Sequence, residues 1–200
     1  MTWVKVCGLT RVEDVEAAVS AGADALGFVL VPESPRAITI DQAAELGQGT
    51  EALRIILTRD LLPEDLVATA LATGADGVQP YGIHSEAAAE AAREAGLMVL
   101  RPVPVTGPVA VDDVPPDQMP LLDSGNPHRL GGSGIAFDYS WLPPGDRPFV
   151  LAGGLGPDTV AGAIRQTRAW GVDASSGLEV APGRKDPELI RRFVVEARRV

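Results

Sequence analysis

The feature that most constrains the fold is a regular alternation of short apolar runs with longer amphipathic stretches, repeated along the whole chain. The short runs are apolar at successive positions, which is typical of parallel strands buried on both faces. We predict eight strands, at Val4–Val6, Ala25–Leu30, Leu53–Leu57, Gly77–Gln79, Met98–Arg101, Met119–Leu122, Phe149–Ala152 and Val172–Ala174. Helical spacing between them predicts helices at Val12–Ser20, Asp41–Leu46, Pro63–Ala72, Ser85–Ala95, Pro157–Arg168 and Pro187–Ala197.

Two of the predicted helices end in the same motif, Gly-Ala-Asp, at residues 22–24 and 74–76, and an apolar run follows each time. A glycine just past a helix is the usual left-handed C-cap, so the motif marks a repeated β/α unit. About eight such units close a barrel. We therefore predict an α/β fold with one domain over residues 1–200, a (β/α)8 TIM barrel. A doubly wound open sheet is the alternative, which is disfavoured because no Gly-x-Gly-x-x-Gly follows the first strand.

The chain is short for such a barrel, which typically takes about 250 residues, so some helices must be reduced. The segment Pro102–Pro116 is rich in proline and has weak helical periodicity. We predict that it is an irregular substitute for the fifth helix. Asp138–Leu142 leaves room for only a short sixth helix, and Thr10 is a candidate N-cap for the first one.

Composition excludes several classes of protein. The net charge of −10 argues against a nucleic-acid partner, because phosphate backbones attract basic surfaces. The single cysteine excludes an intrachain disulfide and fits a reducing compartment. His84 and His128 are far apart in sequence and suggest no metal site. No apolar run approaches the roughly 20 residues of a membrane span, and no signal peptide is evident. We expect a cytoplasmic monomer without a membrane anchor.

Two residues with acid–base chemistry follow predicted strands. Cys7 stands at the end of the first strand, and Asp123 follows the sixth. The carboxyl ends of barrel strands form the rim that carries catalytic groups, so the two side chains could face each other across one ligand. A free thiol has a pKa of about 8.5, and a nucleophilic cysteine normally needs a histidine base nearby. General base is therefore the better interpretation of Cys7, with Asp123 as the acid.

Anion-binding signals lie on the same rim. The last two units end in glycine-rich turns, at residues 151–155 and 172–177, where β/α barrels often bind phosphate through backbone N–H groups. A third such turn, Gly131–Gly134, follows the sixth strand and either touches ligand or shapes its loop. Arg36, just after the second strand, is a candidate bidentate clamp for a carboxylate. A ligand with a phosphate at one end and a carboxylate at the other would suit both features.

Together these residues resemble the phosphoribosylanthranilate isomerase family of tryptophan biosynthesis. The resemblance extends over nearly the whole chain in the family's order, and its first and last stretches are the most specific. The matching stretches are Val4-Lys5-Val6-Cys7-Gly8-Leu9-Thr10, Ser34-Pro35-Arg36, Leu121-Leu122-Asp123, Gly131-Gly132-Ser133-Gly134 with Phe137-Asp138, Leu151-Ala152-Gly153-Gly154-Leu155, and Val172-Asp173-Ala174-Ser175-Ser176-Gly177-Leu178-Glu179 with Pro182-Gly183 and Lys185-Asp186.

The resemblance implies an Amadori rearrangement of N-(5-phosphoribosyl)anthranilate to the carboxyphenylamino-deoxyribulose phosphate. By the resemblance, Asp123 is the general acid that protonates the ribose ring oxygen. Cys7 is the general base that removes the C2′ proton, and Arg36 holds the anthranilate carboxylate. Neither a cofactor nor a metal is implied.

The resemblance also implies a binding role for several residues near the C-terminus. Gly153, Gly154, Ser176 and Gly177 would supply phosphate-binding N–H or hydroxyl groups, and Asp173 would lie near the sugar.

The chain departs from the family at two strand ends. After Gln79 the family usually has Leu-His, where this chain has Pro80-Tyr81. The third strand ends in Thr58-Arg59 instead of an apolar-aromatic run with Asn, and we interpret Arg59 as a surface charge.

Two other functions stay open at this point. One is an isomerase for another aminophosphoribosyl compound of the histidine-pathway type, whose second phosphate would need a second phosphate site. The other is a non-catalytic barrel that binds a phosphosugar or a partner, which the presence of both Cys7 and Asp123 disfavours.

Overall fold

In a computed structural model, which describes residues 1–109, 111–124, 138–142 and 147–200, eight parallel strands close into a barrel in sequence order. Each strand pairs with its neighbours in the chain, and the first pairs with the last. The predicted closed barrel is confirmed, and the doubly wound sheet is wrong. The strands are β1 Trp3–Cys7, β2 Ala25–Val29, β3 Leu53–Arg59, β4 Gly77–Tyr81, β5 Met98–Pro104, β6 Met119–Asp123, β7 Val150–Leu151 and β8 Gly171–Ala174.

The helices lie close to their predicted positions. They are α1 Val12–Ala21, α2 Ile40–Leu46, α3 Pro63–Thr73, α4 Ser85–Glu94, α5 Val160–Thr167 and α6 Pro187–Arg198. Gly22 and Gly74 adopt the left-handed C-cap conformation that the sequence predicts. The predicted N-cap at Thr10 is wrong. Arg11 occupies that position, and the Thr10 hydroxyl donates to the Gly183 carbonyl at 2.5 Å instead.

The fifth unit has no α-helix in its described part, as the prolines predict. The strand itself continues to Pro104, beyond its predicted end, because prolines at 102 and 104 are compatible with extended backbone. A single 3₁₀ turn, Val111–Asp113, takes the place of the fifth helix. In the described part of the sixth unit, residues 138–142, the chain forms the 3₁₀ turn Tyr139–Trp141.

The repeated Gly-Ala-Asp motif has a structural function at the amino ends of the strands. The Asp24 carboxylate accepts from the backbone N–H of Val4 at 2.7 Å, and Asp76 accepts from that of Arg54 at 2.8 Å. Each aspartate therefore ties its own strand to the preceding one at the start of the ladder. This edge of the barrel is built for stability, which leaves the opposite, carboxyl edge for binding.

The barrel interior is apolar at its base and polar toward the carboxyl edge. Ile55, Leu100, Leu121 and Val150 fill the base and are fully buried. After β8, the 3₁₀ turn Ser176–Leu178 leads into a two-stranded hairpin, β9 Glu179–Ala181 and β10 Arg184–Lys185, beside the mouth of the barrel. Among the helices that the structure describes, none is long and apolar enough to span a bilayer.

Candidate active site

The carboxyl edge of the barrel surrounds a cavity that opens to solvent. Most of the site residues predicted from the sequence line it. They are Cys7, Arg36, Asp123, Gly153, Gly154, Asp173 and Ser176. Gly177 lies just outside the lining. The predicted turn Gly131–Gly134 and the family's Phe137 lie outside the described residues, as does His128.

The Cys7 thiol is buried at the end of β1, against the neighbouring strand. A Cβ at Gly27 on β2 would lie 2.8 Å from the sulfur, so only glycine leaves room for the thiol there. Burial raises the pKa of Cys7, and the nearby charge of Asp173 adds to the rise. Lys5 and Lys185 pull that pKa back down. The thiol thus lies among cations that favour its ionisation, against the burial that opposes it.

Lys5 is a fully buried lysine inside the barrel, two residues before the thiol on the same face of β1. Its ammonium donates to Asp173 Oδ2 at 2.9 Å and to Gln79 Oε1 at 3.1 Å. Burial opposes the charge of Lys5, but the negative charges of Asp173 and Cys7 outweigh this effect and raise its pKa. The sequence offered a signal that we did not use, a lysine in the middle of an apolar strand.

Asp123 faces the same cavity from the end of β6 and is 8% exposed. Burial and the charge of Asp173 raise its pKa from 3.8 to about 6, against the opposing effects of Lys5 and of hydrogen bonds from Ser124. A carboxyl group with such a pKa keeps a proton in a useful fraction of molecules near neutral pH, as a general acid requires.

Asp173 lies between the two reactive groups, opposite Lys5 in the register of β1 with β8. One of its oxygens, Oδ2, forms an ion pair with the Lys5 ammonium. The other, Oδ1, is buried and has no hydrogen-bond partner in the part of the chain that the structure describes. Buried polar atoms are normally paired, so Oδ1 is an acceptor available to a ligand.

Arg36 enters the cavity from the loop after β2 with its side chain 11% exposed. Its Nε and Nη2 donate to the two oxygens of Glu179, both at 2.7 Å. Lys185 donates to Glu179 Oε1 at 2.8 Å, so one carboxylate receives two buried cations. Gly8 makes room for this, because a Cβ there would lie 2.5 Å from Arg36 Cδ. Within the described ranges no hydrogen bond involves Nη1 of this guanidinium.

The glycine-rich loops have the backbone geometry of an anion site. Gly153 and Gly154 have φ of +86° and +68°, which side-chain-bearing residues rarely adopt. Their N–H groups donate no backbone hydrogen bond within the described ranges. Gly177 also has a packing role, because a Cβ there would collide with the Leu155 carbonyl. It lets the loop after β8 pack directly on the loop after β7.

The divergent strand ends behave differently from each other. Tyr81, at the end of β4, lines the cavity, and its hydroxyl accepts from Gln79 Nε2 at 2.7 Å. Arg59, at the end of β3, does not line it, in agreement with a surface role. Among the described residues no group of three or more His, Cys, Asp or Glu could hold a metal ion.

Sequence reasoning did not identify as site residues several side chains that lie beside the predicted site residues or form hydrogen bonds and ion pairs with them. These are Lys5, Gln79, Tyr81, Ser175, Glu179 and Lys185. Most are polar residues that the sequence places in or beside apolar strands, which was the available signal. Their pairing could not be read, because partners such as Lys5 and Asp173 come from opposite ends of the chain.

A β/α barrel with a buried thiol, a carboxyl of raised pKa, a guanidinium and glycine-rich turns around one mouth defines an acid–base enzyme of the TIM-barrel class. Residues 4–196 match the family described as N-(5′-phosphoribosyl)anthranilate (PRA) isomerase. A curated relative from Rhodopseudomonas palustris (strain ATCC BAA-98 / CGA009), N-(5′-phosphoribosyl)anthranilate isomerase, is 41% identical over 98% of each chain. The chain therefore belongs to the N-(5′-phosphoribosyl)anthranilate isomerase family.

Solved structures agree with this assignment. The phosphoribosyl anthranilate isomerase of Thermus thermophilus superposes with a TM-score of 0.87 at 33% identity, over 99% of both chains. A second isomerase structure, in complex with reduced 1-(o-carboxyphenylamino)-1-deoxyribulose 5-phosphate, matches with a TM-score of 0.83 at 29% identity over both full chains.

Proposed function

We propose that this chain converts N-(5-phosphoribosyl)anthranilate to 1-(2-carboxyphenylamino)-1-deoxyribulose 5-phosphate, an Amadori rearrangement in tryptophan biosynthesis. One observation carries the proposal beyond family membership. Cys7 and Asp123 line a single cavity together with Arg36 and the Gly153–Gly154 turn. The substrate carries a carboxylate, a phosphate and a sugar ring that must be opened by an acid and deprotonated by a base. The cavity offers one group for each of these tasks.

Asp123 carries out the first step as general acid. Its carboxyl proton passes to the ribose ring oxygen, the bond from that oxygen to C1′ breaks, and the nitrogen lone pair forms a protonated Schiff base. The pKa of about 6 supports this role, because the group still holds a proton in part of the population near neutral pH.

Cys7 then acts as general base. The thiolate removes the C2′ proton, the electrons of that bond form the C1′–C2′ double bond, and the Schiff-base nitrogen becomes neutral. The resulting enolamine tautomerises to the ketone. The protonated Schiff base adds a positive charge beside a thiol that Lys5 and Lys185 already favour in its ionised form. Formation of the Schiff base therefore favours the thiolate form of Cys7 just before the step in which the thiolate removes the C2′ proton.

The remaining residues hold the two anionic ends of the substrate. Arg36 binds the anthranilate carboxylate through its Nη1 edge, because Glu179 occupies the Nε edge. Gly153 and Gly154 bind the phosphate through their N–H groups, which suits an acidic protein because no lysine is required.

The rest of the binding site lies on the loop after β8. Ser176 adds a hydroxyl to the phosphate site, and Gly177 contributes an N–H group. Asp173 Oδ1, buried without a partner in the described chain, accepts from a sugar hydroxyl.

The reaction moves protons within one molecule, so we propose that it uses neither a cofactor nor a metal. The barrel strands run from residue 3 to residue 174 in one closed sheet, which supports one domain over residues 1–200. A reducing, cytoplasmic location remains our prediction from the single unpaired thiol.

We propose a monomer, because the exposed large apolar side chains, such as Leu71 on α3, Ile83 in the turn before α4 and Val180 on β9, are distributed over separate segments of the chain. The isomerase from Thermotoga maritima, 29% identical over both full chains with a TM-score of 0.82, is described as dimeric. Light scattering on the purified protein distinguishes the two states, and a mass of two chains would overturn the proposal.

The decisive experiment follows the loss of anthranilate-type fluorescence when purified protein meets freshly made phosphoribosylanthranilate. We expect rapid loss with wild type and none above background with Cys7→Ser. Folded wild type that leaves the fluorescence unchanged would overturn the proposed reaction and direct attention to another phosphosugar. Equal rates for both proteins would keep the reaction but remove Cys7 from it.

A further inference from the structure

Tyr81 occupies a position from which it can touch a bound ligand. It ends β4, where the family usually has histidine, and it lines the cavity with Cys7 and Asp123. Its ring packs on the apolar cluster around Cys7 that contains Val29 and Leu57. The ring is thereby anchored, and the hydroxyl is directed toward polar groups.

The direction of each hydrogen bond around Tyr81 follows from chemistry. The Lys5 ammonium can only donate, so the Gln79 atom 3.1 Å from it must be the amide oxygen. The amide nitrogen of Gln79 then lies 2.7 Å from the Tyr81 hydroxyl and donates to it. This assignment does not depend on which way the amide is built, because the reverse orientation would place two donors against each other.

Tyr81 therefore has an acceptor lone pair in use and a proton to give. Within the described ranges no group accepts that proton. Burial raises the pKa of Tyr81 well above its usual value, and the charges of Asp123 and Cys7 add to this. The hydroxyl is accordingly protonated at neutral pH and able to donate.

We propose that Tyr81 is a substrate-contacting residue whose hydroxyl donates a hydrogen bond to a sugar oxygen of the phosphosugar. In this proposal the sugar lies between Cys7 and Asp123. The inference rests on the proposed function, and it assigns Lys5 and Gln79 as positioning residues. The chain of donors runs in one direction, from the Lys5 ammonium through the Gln79 amide to Tyr81 and then to the ligand. No proton is transferred along it.

The first test removes only the hydroxyl. Tyr81→Phe keeps the ring packing, so it should fold as wild type does. We expect the KM for phosphoribosylanthranilate and the Kd for the reduced product analogue, reduced 1-(o-carboxyphenylamino)-1-deoxyribulose 5-phosphate, to rise together by roughly 3- to 10-fold, the usual effect of one neutral hydrogen bond. Tyr139→Phe, the matched change at the chain's other tyrosine, should leave both constants unchanged. Unchanged constants in Tyr81→Phe would overturn the proposal.

The second test reverses the donor chain. In Gln79→Glu, the new carboxylate accepts hydrogen bonds from both Lys5 and the Tyr81 hydroxyl, so that hydroxyl no longer donates to the ligand. We expect Gln79→Glu to bind the analogue more weakly, and Tyr81→Phe to cost nothing further in that background. A full additional loss in the double variant would contradict the direction that we assign. If Gln79→Glu does not fold, Tyr81→Phe against Tyr139→Phe still decides the proposal.

The two proposals fail separately. Wild type that binds the analogue without turning over substrate would overturn the proposed reaction, and the analogue Kd of Tyr81→Phe would still test the contact. Wild type that turns over substrate, with an unaffected Tyr81→Phe, would overturn the contact alone. Wild type that does neither would overturn both.

Discussion

The two sides of the barrel mouth each hold a buried acidic group, but different groups oppose the effect of burial. On the β1 side, burial and the charge of Asp173 raise the pKa of Cys7, and two cations, Lys5 and Lys185, act to lower it. On the β6 side, burial and Asp173 raise the pKa of Asp123, and Lys5 and hydrogen bonds from Ser124 act to lower it. Lys185 is thus the charge that acts on Cys7 and is not among the causes of the shift at Asp123. Charge placement as well as burial therefore distinguishes the two groups, which is the usual way of assigning an acid and a base in one site.

Removal of the base, Cys7, should have the largest effect on the rate and tests the β1 side of this comparison. Cys7→Ser should lower kcat by at least about 10²-fold, because serine is far too weakly acidic to ionise beside the same lysines. The Kd of the reduced product analogue should stay close to that of wild type, which separates chemistry from binding. Near-normal turnover in this variant would remove Cys7 from the mechanism.

Loss of the acid should have a similar effect on the rate. Asp123→Asn cannot protonate the ring oxygen, so we expect kcat to fall by at least about 10²-fold. Asp112→Asn, the same change at an exposed position, should keep full activity. A fully active Asp123→Asn would mean that another group, or water, supplies the proton.

The same variant tests the electrostatics of the β6 side without any substrate. A carboxyl whose pKa is raised from 3.8 to about 6 destabilises the folded state once it is ionised. Asp123→Asn should therefore be more stable than wild type above pH 6, by at most about 3 kcal/mol. The gain should decrease as the pH falls through 6 and vanish below 4, where the carboxyl is protonated in both states. Urea unfolding at pH 8 and pH 4 measures this, and an equal gain at both would contradict the assignment.

The pH profile sharpens the comparison further. The active form carries a thiolate and a carboxylic acid at the same time. Below pH 6 Asp123 is already protonated and the thiolate fraction falls, so kcat/KM should fall about tenfold per pH unit. Above pH 6 the gain in thiolate is offset by the loss of the acid, which gives a plateau. The break should disappear in Asp123→Asn, a control that is needed because the substrate phosphate also titrates at about pH 6.

The smallest expected effects concern the clamp beside Cys7. Arg36→Ala should raise KM by roughly 10- to 100-fold with less change in kcat, as expected for a lost hydrogen bond to a charged group. Glu179→Gln keeps the guanidinium but weakens its anchor, so KM should rise by only a few-fold, about the effect of one hydrogen bond. Arg59→Ala, at the neighbouring strand end, is the matched control. A KM in Arg36→Ala equal to that of Arg59→Ala would remove the clamp.

The sequence predicted the parts of this site that depend on local patterns. Short apolar runs, the left-handed glycine after each of two helices and the two glycine-rich turns led to a closed barrel, with Cys7 and Asp123 on its rim. These signals are local because a strand, a C-cap and a turn each involve only a few consecutive residues. Errors were correspondingly local, such as the N-cap placed at Thr10 and the length of β5.

What the sequence alone determined is the barrel, its rim and which chemically active side chains stand on that rim. Only the tertiary structure decided how those groups are charged and held. Lys5 meets Asp173 across 168 positions of the chain, and Arg36 meets Glu179 across 143. A pKa depends on burial and on charges within a few ångströms, and closure of the barrel sets both by joining the first strand to the last. No local pattern contains that information, which is why Tyr81 could be recognised as a departure but not as a donor.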